Sequence, residues 1–178
     1  MANQTSVLIT LAGALLVAAC TALFAYFRYV REQEHQRRTL LNALFAELAN
    51  VLEHYTYAAA EFPRDAADAF ELKKRLRWSK YGTLRSANDV GKMGFLEAPS
   101  IKALLQLELR IRNDAILLDQ VLEDITNATP LRLRETRARL ALRVADAGWL
   151  LNQLVDRRPA LKTVLTDMKK ELPVIPDA

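Results

Sequence analysis

The 178-residue sequence is poor in the residues on which disulfide-stabilised and β-sheet architectures depend. Its one cysteine, Cys20, cannot form an intramolecular disulfide, so cysteine content does not identify an oxidising compartment. Five glycines and six prolines are too few for the many turns of a β-sheet protein of this length. The composition therefore favours an all-α fold, with room for one domain besides a membrane anchor.

Charged residues are absent from the N-terminal end of the chain. Residues 1–27 contain no Asp, Glu, Lys or Arg, and residues 7–27 form an apolar run. A helix of about 21 residues is about 31 Å long, which matches the hydrocarbon core of a bilayer. A cleaved signal peptide normally begins with a basic region, and residues 1–6 have none. We therefore expect an uncleaved transmembrane helix over residues 7–27, preceded by a short tail.

Cys20 allows an alternative form of membrane attachment. Residues 17–20, Val-Ala-Ala-Cys, resemble the lipobox of bacterial lipoproteins, in which the cysteine is acylated and becomes the new N-terminus. The missing basic region and the apolar residues after Cys20 argue against this interpretation. The alternative stays open, and it would place the rest of the chain on the other side of the membrane.

Basic residues follow the apolar run directly, at Arg28, Arg31, Arg37 and Arg38. No basic side chain precedes the run. The positive-inside rule then predicts an external N-terminus and a cytoplasmic C-terminal domain. The Ala-, Leu- and Arg-rich composition suggests a bacterial inner membrane. Aromatic and basic side chains favour the headgroup region, so we expect a membrane-interface group made of Tyr26, Arg28, Tyr29 and Arg31.

Small residues repeat every fourth position along the apolar run, at Thr10, Ala14, Ala18 and Ala22. They share one helix face and would let a second helix approach closely. The pattern predicts self-association of the transmembrane helix, although alanine is common throughout this chain. A homo-oligomer or a complex with another membrane protein is therefore expected, in addition to contact with the bilayer.

The rest of the chain shows helical periodicity after a charged stalk over residues 28–38. Apolar residues with helical spacing follow at Leu41, Leu44, Phe45, Leu48, Leu52 and Tyr55. Neither Gly nor Pro interrupts the chain from Leu15 to Phe62, so the transmembrane helix can continue into this first helix and end near Pro63. A shorter second helix is expected over residues 65–81, followed by an irregular connection that includes Pro99.

A third helix is predicted to begin near Ser100 and to stop at residues 127–130. Its apolar stripe comprises Ile101, Leu104, Ile111, Ala115, Leu118, Leu122 and Ile125, and Glu108 is the polar residue that periodicity places on this side. Glu108 is therefore the predicted buried polar residue.

A fourth helix should open with Thr129 as N-cap and Pro130 at its first position, and Pro159 should end or kink it. Its predicted apolar stripe comprises Leu133, Leu140, Val144, Ala147, Leu151 and Leu154. A last amphipathic turn is expected through Leu161, Val164, Leu165 and Met168, before a flexible tail over residues 173–178. These helices predict an antiparallel bundle of about four helices over residues 39–172.

Motifs that carry chemistry are incomplete in this sequence. Glu32 and His35 have the Glu-x-x-His spacing of carboxylate-bridged metal sites, but the required second copy is absent, since His54 has Val51 three positions before it. Gly91-Lys92 lacks the other residues of a phosphate-binding loop, and no Gly-x-Ser-x-Gly is present. We therefore assign no catalytic, cofactor-binding or metal-binding residue.

A basic and aromatic cluster lies in the predicted second helix, at Lys73, Lys74, Arg75, Arg77, Trp78 and Lys80. In a membrane-tethered domain this cluster could contact anionic lipid headgroups. The simpler interpretation is a solvated helix face with Trp78 in the core. A net charge of +4 without a recognised motif argues against nucleic-acid binding.

No motif resembles a known family closely enough to name one. The leading hypothesis is a membrane-anchored, cytoplasmic helical interaction or assembly module without catalytic activity, because an anchor and a self-association face occur without catalytic groups. One alternative is a membrane-tethered sensor or effector whose bundle binds a small ligand or anionic lipid. A metal-dependent helical-bundle enzyme is a third and weaker hypothesis.

Overall fold

The computed structural model describes residues 2–62, 74, 84, 94 and 96–175, with side chains in the N-terminal helix from residue 13 onward. Four α-helices occur in this part of the chain: α1 (Ala2–Ala60), α2 (Ala98–Glu123), α3 (Pro130–Arg157) and α4 (Lys162–Glu171). Short 3-10 turns at Ile125–Asn127 and Pro159–Leu161 precede α3 and α4. The described residues contain no strand, and the predicted all-α class is confirmed for them.

The chain divides into two compact units, Met1–Leu40 and Leu41–Ala178. The first unit consists of the N-terminal part of α1, and its side chains are exposed from Gly13 through Thr39. One helix near the N-terminus is long and apolar enough to cross a membrane. As the absence of Gly and Pro between Leu15 and Phe62 predicted, α1 is a single uninterrupted helix.

The core of the second unit begins with the apolar stripe of α1. All six side chains predicted for this stripe, from Leu41 to Tyr55, are at most 6% exposed. Val51, Ala58 and Ala59 widen the stripe and are also buried. Burial of a leucine side chain contributes roughly 1.5–3 kcal/mol, so the stripe is a principal source of stability for the second unit.

The ends of α3 follow the predicted local chemistry. The Thr129 hydroxyl accepts a hydrogen bond from the Arg132 backbone N–H at 3.2 Å, and Pro130 occupies the first turn. At the other end, the Arg158 N–H donates to the Leu154 carbonyl at 2.9 Å, and Pro159 follows. The predicted N-cap and C-terminal stop are both confirmed.

The start of α2 differs from the prediction. The helix begins at Ala98 with Glu97 as N-cap, before the predicted start near Ser100. Pro99, which we assigned to an irregular connection, lies inside the first turn of α2. Proline is well suited to this place, because the first-turn N–H groups have no intrahelical acceptor and the ring already sets a helical φ.

The predicted stripe of α2 was incomplete, because it contained Glu108 as its one polar residue. Asp114 is 4% exposed, whereas the predicted Ala115 and Ile101 are only partly buried. Asp114 lies three residues after Ile111 and four before Leu118, which puts it on the same helix face. The prediction omitted Asp114 because the stripe was drawn through apolar residues, and an isolated buried carboxylate is costly.

The predicted stripes of the last two helices also need correction. Leu133 and Val144 in α3 are only partly buried, whereas Thr136 and Leu150 are buried although the prediction omitted them. In α4 the predicted Val164 is 53% exposed and Leu165 is the buried residue. The 10-residue α4 is too short to bury a broad apolar stripe.

Two contacts fix the direction of α1 relative to α3 within the second unit. Near the start of α3, Arg137 Nε donates to the Ala59 carbonyl at 2.9 Å. Just past the end of α3, Arg158 Nη1 contacts Asn42 Oδ1. Since residue numbers fall along α1 as they rise along α3, these two segments run antiparallel.

The pair formed by α2 and α3 is also antiparallel. Arg143 Nε donates to Asp114 Oδ2 at 2.5 Å, near the middle of both helices. Towards the end of α3, Arg157 Nη2 donates to Glu97 Oε1 at 2.5 Å, at the N-terminus of α2. The second helix that we predicted over residues 65–81 lies outside the described residues, apart from the helical Lys74.

Candidate functional site

The first unit presents a continuous apolar surface. Its large apolar side chains are between 44% and 73% exposed; they are Leu15, Leu16, Val17, Leu23, Phe24, Tyr26, Phe27, Tyr29 and Val30. Soluble monomers rarely expose contiguous apolar patches of more than a few hundred Å². A surface of this kind is stable only against lipid or against another apolar surface, because exposed apolar area costs roughly 25 cal/mol per Å² in water.

The predicted membrane-interface residues lie together at one end of this surface. Tyr26 and Tyr29 are 61% and 62% exposed, and the rings of Tyr26 and Phe27 meet edge to face with centroids 6.1 Å apart. Arg28 and Arg31 are exposed on the same part of α1. The aromatic rings and the guanidinium groups therefore lie on the same short stretch of α1.

The predicted self-association face is exposed where the structure describes it. Ala14, Ala18 and Ala22 are exposed, and Thr10 lies in α1 with its side chain outside the described part. Within the same stretch, Thr21 Oγ1 donates to the Val17 carbonyl at 2.8 Å. This bond satisfies the hydroxyl inside the helix, so Thr21 can remain in an apolar environment.

A partly buried polar cluster joins α2 and α3 in the second unit. Arg143 on α3 donates to Asp114 on α2 and, through Nη1, to Asp146 Oδ2 at 3.0 Å. Asp146 also accepts from Arg110 Nη1 at 2.9 Å. The Arg143 and Asp114 side chains are only 10% and 6% exposed, so this ion pair lies almost entirely out of water.

Tyr55 on α1 lies in the electrostatic field of the same cluster. Burial raises the pKa of the Tyr55 phenol above its ordinary range; the Asp114 carboxylate raises it further and Arg143 partly opposes this. Burial alone would lower the pKa of Arg143, but its hydrogen bonds and charge interactions with Asp114 and Asp146 produce a net rise. The phenol therefore stays neutral and the guanidinium stays charged.

Glu108 lies buried in α2 and is 8% exposed. Its Oε1 accepts from Arg112 Nη2 at 2.5 Å, one turn along the same helix. The buried ion pair between α2 and α3 is instead made by Asp114 and Arg143, which sequence reasoning missed. The sequence did contain a signal for the burial of Asp114. It lies three residues after Ile111 and four before Leu118, on the helix face that those two residues share.

The predicted basic cluster can be placed only in part. Lys74 is helical and exposed, whereas Lys73, Arg75, Arg77, Trp78 and Lys80 lie outside the described residues. Among the side chains that the structure does describe, no group of three His, Cys, Asp or Glu comes together as a metal site would need. Glu32 and His35 are both exposed on α1.

His54 is half-buried at the edge of the α1 stripe. Its burial lowers the pKa of the imidazole from the ordinary value of 6.5, and the neighbouring Glu53 opposes this in part. The unfolded chain therefore binds a proton at a higher pH than the folded chain does. The contribution of His54 to the free energy of unfolding is present above pH 6.5. It is lost as the pH falls through the lowered pKa of the folded imidazole.

We expect the full-length protein in detergent to become less stable between about pH 8 and about pH 5.5 because of His54. The His54→Gln variant should show a smaller loss over the same range. Urea midpoints measured at both pH values give the comparison; equal pH dependence in His54→Gln and wild type would contradict the assignment.

Two features thus stand out: an exposed apolar segment in the first unit, and a buried ion-pair cluster in the second. The cluster forms ion pairs between α2 and α3. The apolar segment exposes side chains whose transfer out of water is favourable. No family model, no curated protein and no solved structure matches this chain.

Proposed function

We propose that the chain is a single-pass membrane-anchored module whose helical domain lies in the cytoplasm and assembles with itself or with another protein, without catalysing a reaction. The observation that carries the proposal is the continuous exposed apolar surface of the first unit. This surface is covalently joined to a second unit that has its own buried core, from Leu41 onward. Such a combination is typical of an anchored domain.

The orientation rests on the charges around the span. Within the proposed transmembrane helix over residues 7–27 no residue is charged, and the first basic residues after it are Arg28 and Arg31. By the positive-inside rule these residues stay on the cytoplasmic side of the membrane. The second unit would then lie in the cytoplasm, anchored to a bacterial inner membrane. Acylation at Cys20 is the alternative, and it would place the second unit outside.

The second unit is proposed to be an antiparallel bundle of about four helices. In support, α3 runs antiparallel to both α1 and α2, so Ala59 and Glu97 lie near opposite ends of α3. The chain between them must connect those two ends. The helix predicted over residues 65–81 would be the fourth member of the bundle, and it lies outside the described residues.

The buried charges of the second unit support a binding rather than a catalytic role. Arg143 on α3 donates to the buried Asp114 on α2 and to the partly exposed Asp146 on its own helix. Buried ion pairs of this kind are best attested as devices that fix how helices align. A rigid helical unit with fixed alignment presents constant surfaces to a partner, as an assembly module requires.

Self-association through the span tests the assembly part of the proposal. Replacing Ala14 and Ala18 with leucine fills the small-residue face, and we expect the dimer signal in a membrane two-hybrid assay to fall about tenfold, which is about 1.4 kcal/mol. Ala19→Leu adds one such leucine on another face and should leave the signal unchanged. A double variant that dimerises as well as wild type would remove self-association through the span from the proposal.

A further inference from the structure

The outward side of α2 carries an exposed apolar stripe that the proposed function has not used. Leu105, Leu109 and Ile116 are 42%, 60% and 62% exposed, and Ala98 is exposed at the start of the helix. These residues share one helix face, opposite the buried face that contains Leu104, Leu107 and Ile111. The stripe from Ala98 to Ile116 is about 27 Å long.

A shallow, open groove of about 430 Å³ lies at the N-terminal half of this stripe. Its lining is almost entirely apolar and comprises Ala98, Ile101, Lys102, Leu105, Gln106 and Leu109. An apolar groove that runs along a helix is suited to the apolar face of a second helix, whose side chains recur with the same spacing.

The charges around the stripe identify the chemistry of the partner. Between Ala98 and Leu118, the exposed charged residues of α2 are all basic: Lys102, Arg110 and Arg112. The two acidic residues of this stretch, Glu108 and Asp114, are buried and are held by Arg112 and Arg143. Acidic residues appear again only further along α2, at Asp119 and Glu123. Arg110 is paired with Asp146 on α3 and Arg112 with Glu108, so Lys102 supplies most of the positive charge on this apolar face.

We propose that this face binds an amphipathic helix of another protein, in which carboxylates flank an apolar stripe. This inference rests on the proposed function and names the partner class of the interaction module. Apolar contacts with Leu105, Leu109 and Ile116 supply affinity, and Lys102 in the lining of the groove selects for acidic partners and against basic ones. In-register pairing of two copies of this chain would set Lys102 against Lys102 and Arg112 against Arg112, which like-charge repulsion opposes.

The probe is a designed helical peptide of about 18 residues with a leucine stripe and glutamate flanks, compared with the same peptide carrying lysine flanks. The target is the full chain in phosphatidylcholine nanodiscs, and the readout is the fluorescence anisotropy of the labelled peptide. We expect the acidic peptide to bind at least about tenfold more tightly than the basic one, and added salt to reduce the difference.

Matched variants locate the binding face. Leu109→Glu places a carboxylate in the stripe and should weaken binding of the acidic peptide at least about tenfold. Leu142, which is 58% exposed on α3, is the control position, and Leu142→Glu should bind the peptide as wild type does. Because both positions are exposed, both variants are expected to keep the helical circular dichroism of the wild type.

Several results would overturn the inference. Equal affinity for the two peptides, or equal effects of Leu109→Glu and Leu142→Glu, would show that the face does not select an acidic helix. Peptide binding that appears only with anionic lipid would assign the face to the membrane, and chain dimers that Leu109→Glu disrupts without peptide would assign it to a second copy. Alkaline extraction of the same protein from membranes reports the anchor separately, so failure of the anchor and failure of this face are distinguishable.

Discussion

Replacement of Asp114 with alanine is expected to lower the free energy of unfolding of the second unit by about 3–5 kcal/mol. The carboxylate is 6% exposed and accepts the hydrogen bond from Arg143 Nε at 2.5 Å. Without it, the Arg143 guanidinium stays buried and keeps only Asp146 as a partner. The cost arises mainly from this insufficiently compensated buried charge rather than from the net strength of the ion pair.

Urea denaturation of the full chain in detergent, followed by circular dichroism, measures the effect. The matched control is Asp167→Ala, because Asp167 pairs with Lys170 at 2.9 Å and both side chains are at least 60% exposed. This control should change the free energy of unfolding by about 0–1 kcal/mol. The double variant Asp114→Leu with Arg143→Met removes both charges and should recover most of the stability. A loss in Asp114→Ala no larger than in Asp167→Ala would contradict the assigned role.

Two arginines in the middle of the first unit are expected to abolish membrane anchoring. Leu16 and Val17 are 67% and 65% exposed, and each replacement by arginine costs about 2.5–3.5 kcal/mol at the centre of a transmembrane helix. The combined cost of about 5–7 kcal/mol is comparable with the favourable insertion free energy of the whole span, to which each leucine or valine contributes about 0.3–0.6 kcal/mol. The double variant Leu16→Arg with Val17→Arg should therefore move from the membrane pellet to the supernatant after alkaline carbonate extraction.

The second unit provides the control for this experiment. Leu131 and Leu142 are 64% and 58% exposed on α3, and replacing both with arginine adds the same charge outside the span. This control should stay in the pellet. A cysteine in place of the exposed Asn152, with Cys20→Ser, reports orientation: a membrane-impermeant maleimide should label it only after the cells are permeabilised. If the double variant at Leu16 and Val17 remained in the pellet, that result would be evidence against the proposed span.

Features that depend on neighbours along the chain were predicted well. The apolar stripe of α1 is buried as its spacing indicates, because the helical repeat alone brings Leu44, Leu48 and Tyr55 to one face. Thr129 and Pro130 open α3 because capping needs only a hydroxyl within reach of a backbone N–H three residues on. The start of α2 was predicted near Ser100 and lies at Ala98. Helix boundaries are uncertain by one or two residues, because several residues near an N-terminus can serve as the cap.

The polar contacts of the second unit could not be predicted in this way. Periodicity nominated Glu108, which pairs within its own helix, and missed Asp114, whose partner Arg143 lies 29 residues further along the chain. Whether a carboxylate can be buried depends on the group that faces it, and that group belongs to another helix. The Ala59 carbonyl likewise accepts from Arg137, 78 residues away, which satisfies one of the last carbonyls of α1.

The helical class, the apolar stripe of α1, the ends of α3 and the uncharged segment long enough to cross a membrane could all be predicted from the amino-acid sequence. Each of these follows from helix geometry and from the transfer of apolar surface out of water, which act over a few residues. Packing between helices set which charges are buried, which side of α2 stays exposed, and the antiparallel direction of α3 relative to α2 and to the part of α1 in the second unit. The reason is physical: the free energy of a buried charge or an apolar face depends on the surface packed against it, and distant parts of the chain supply that surface.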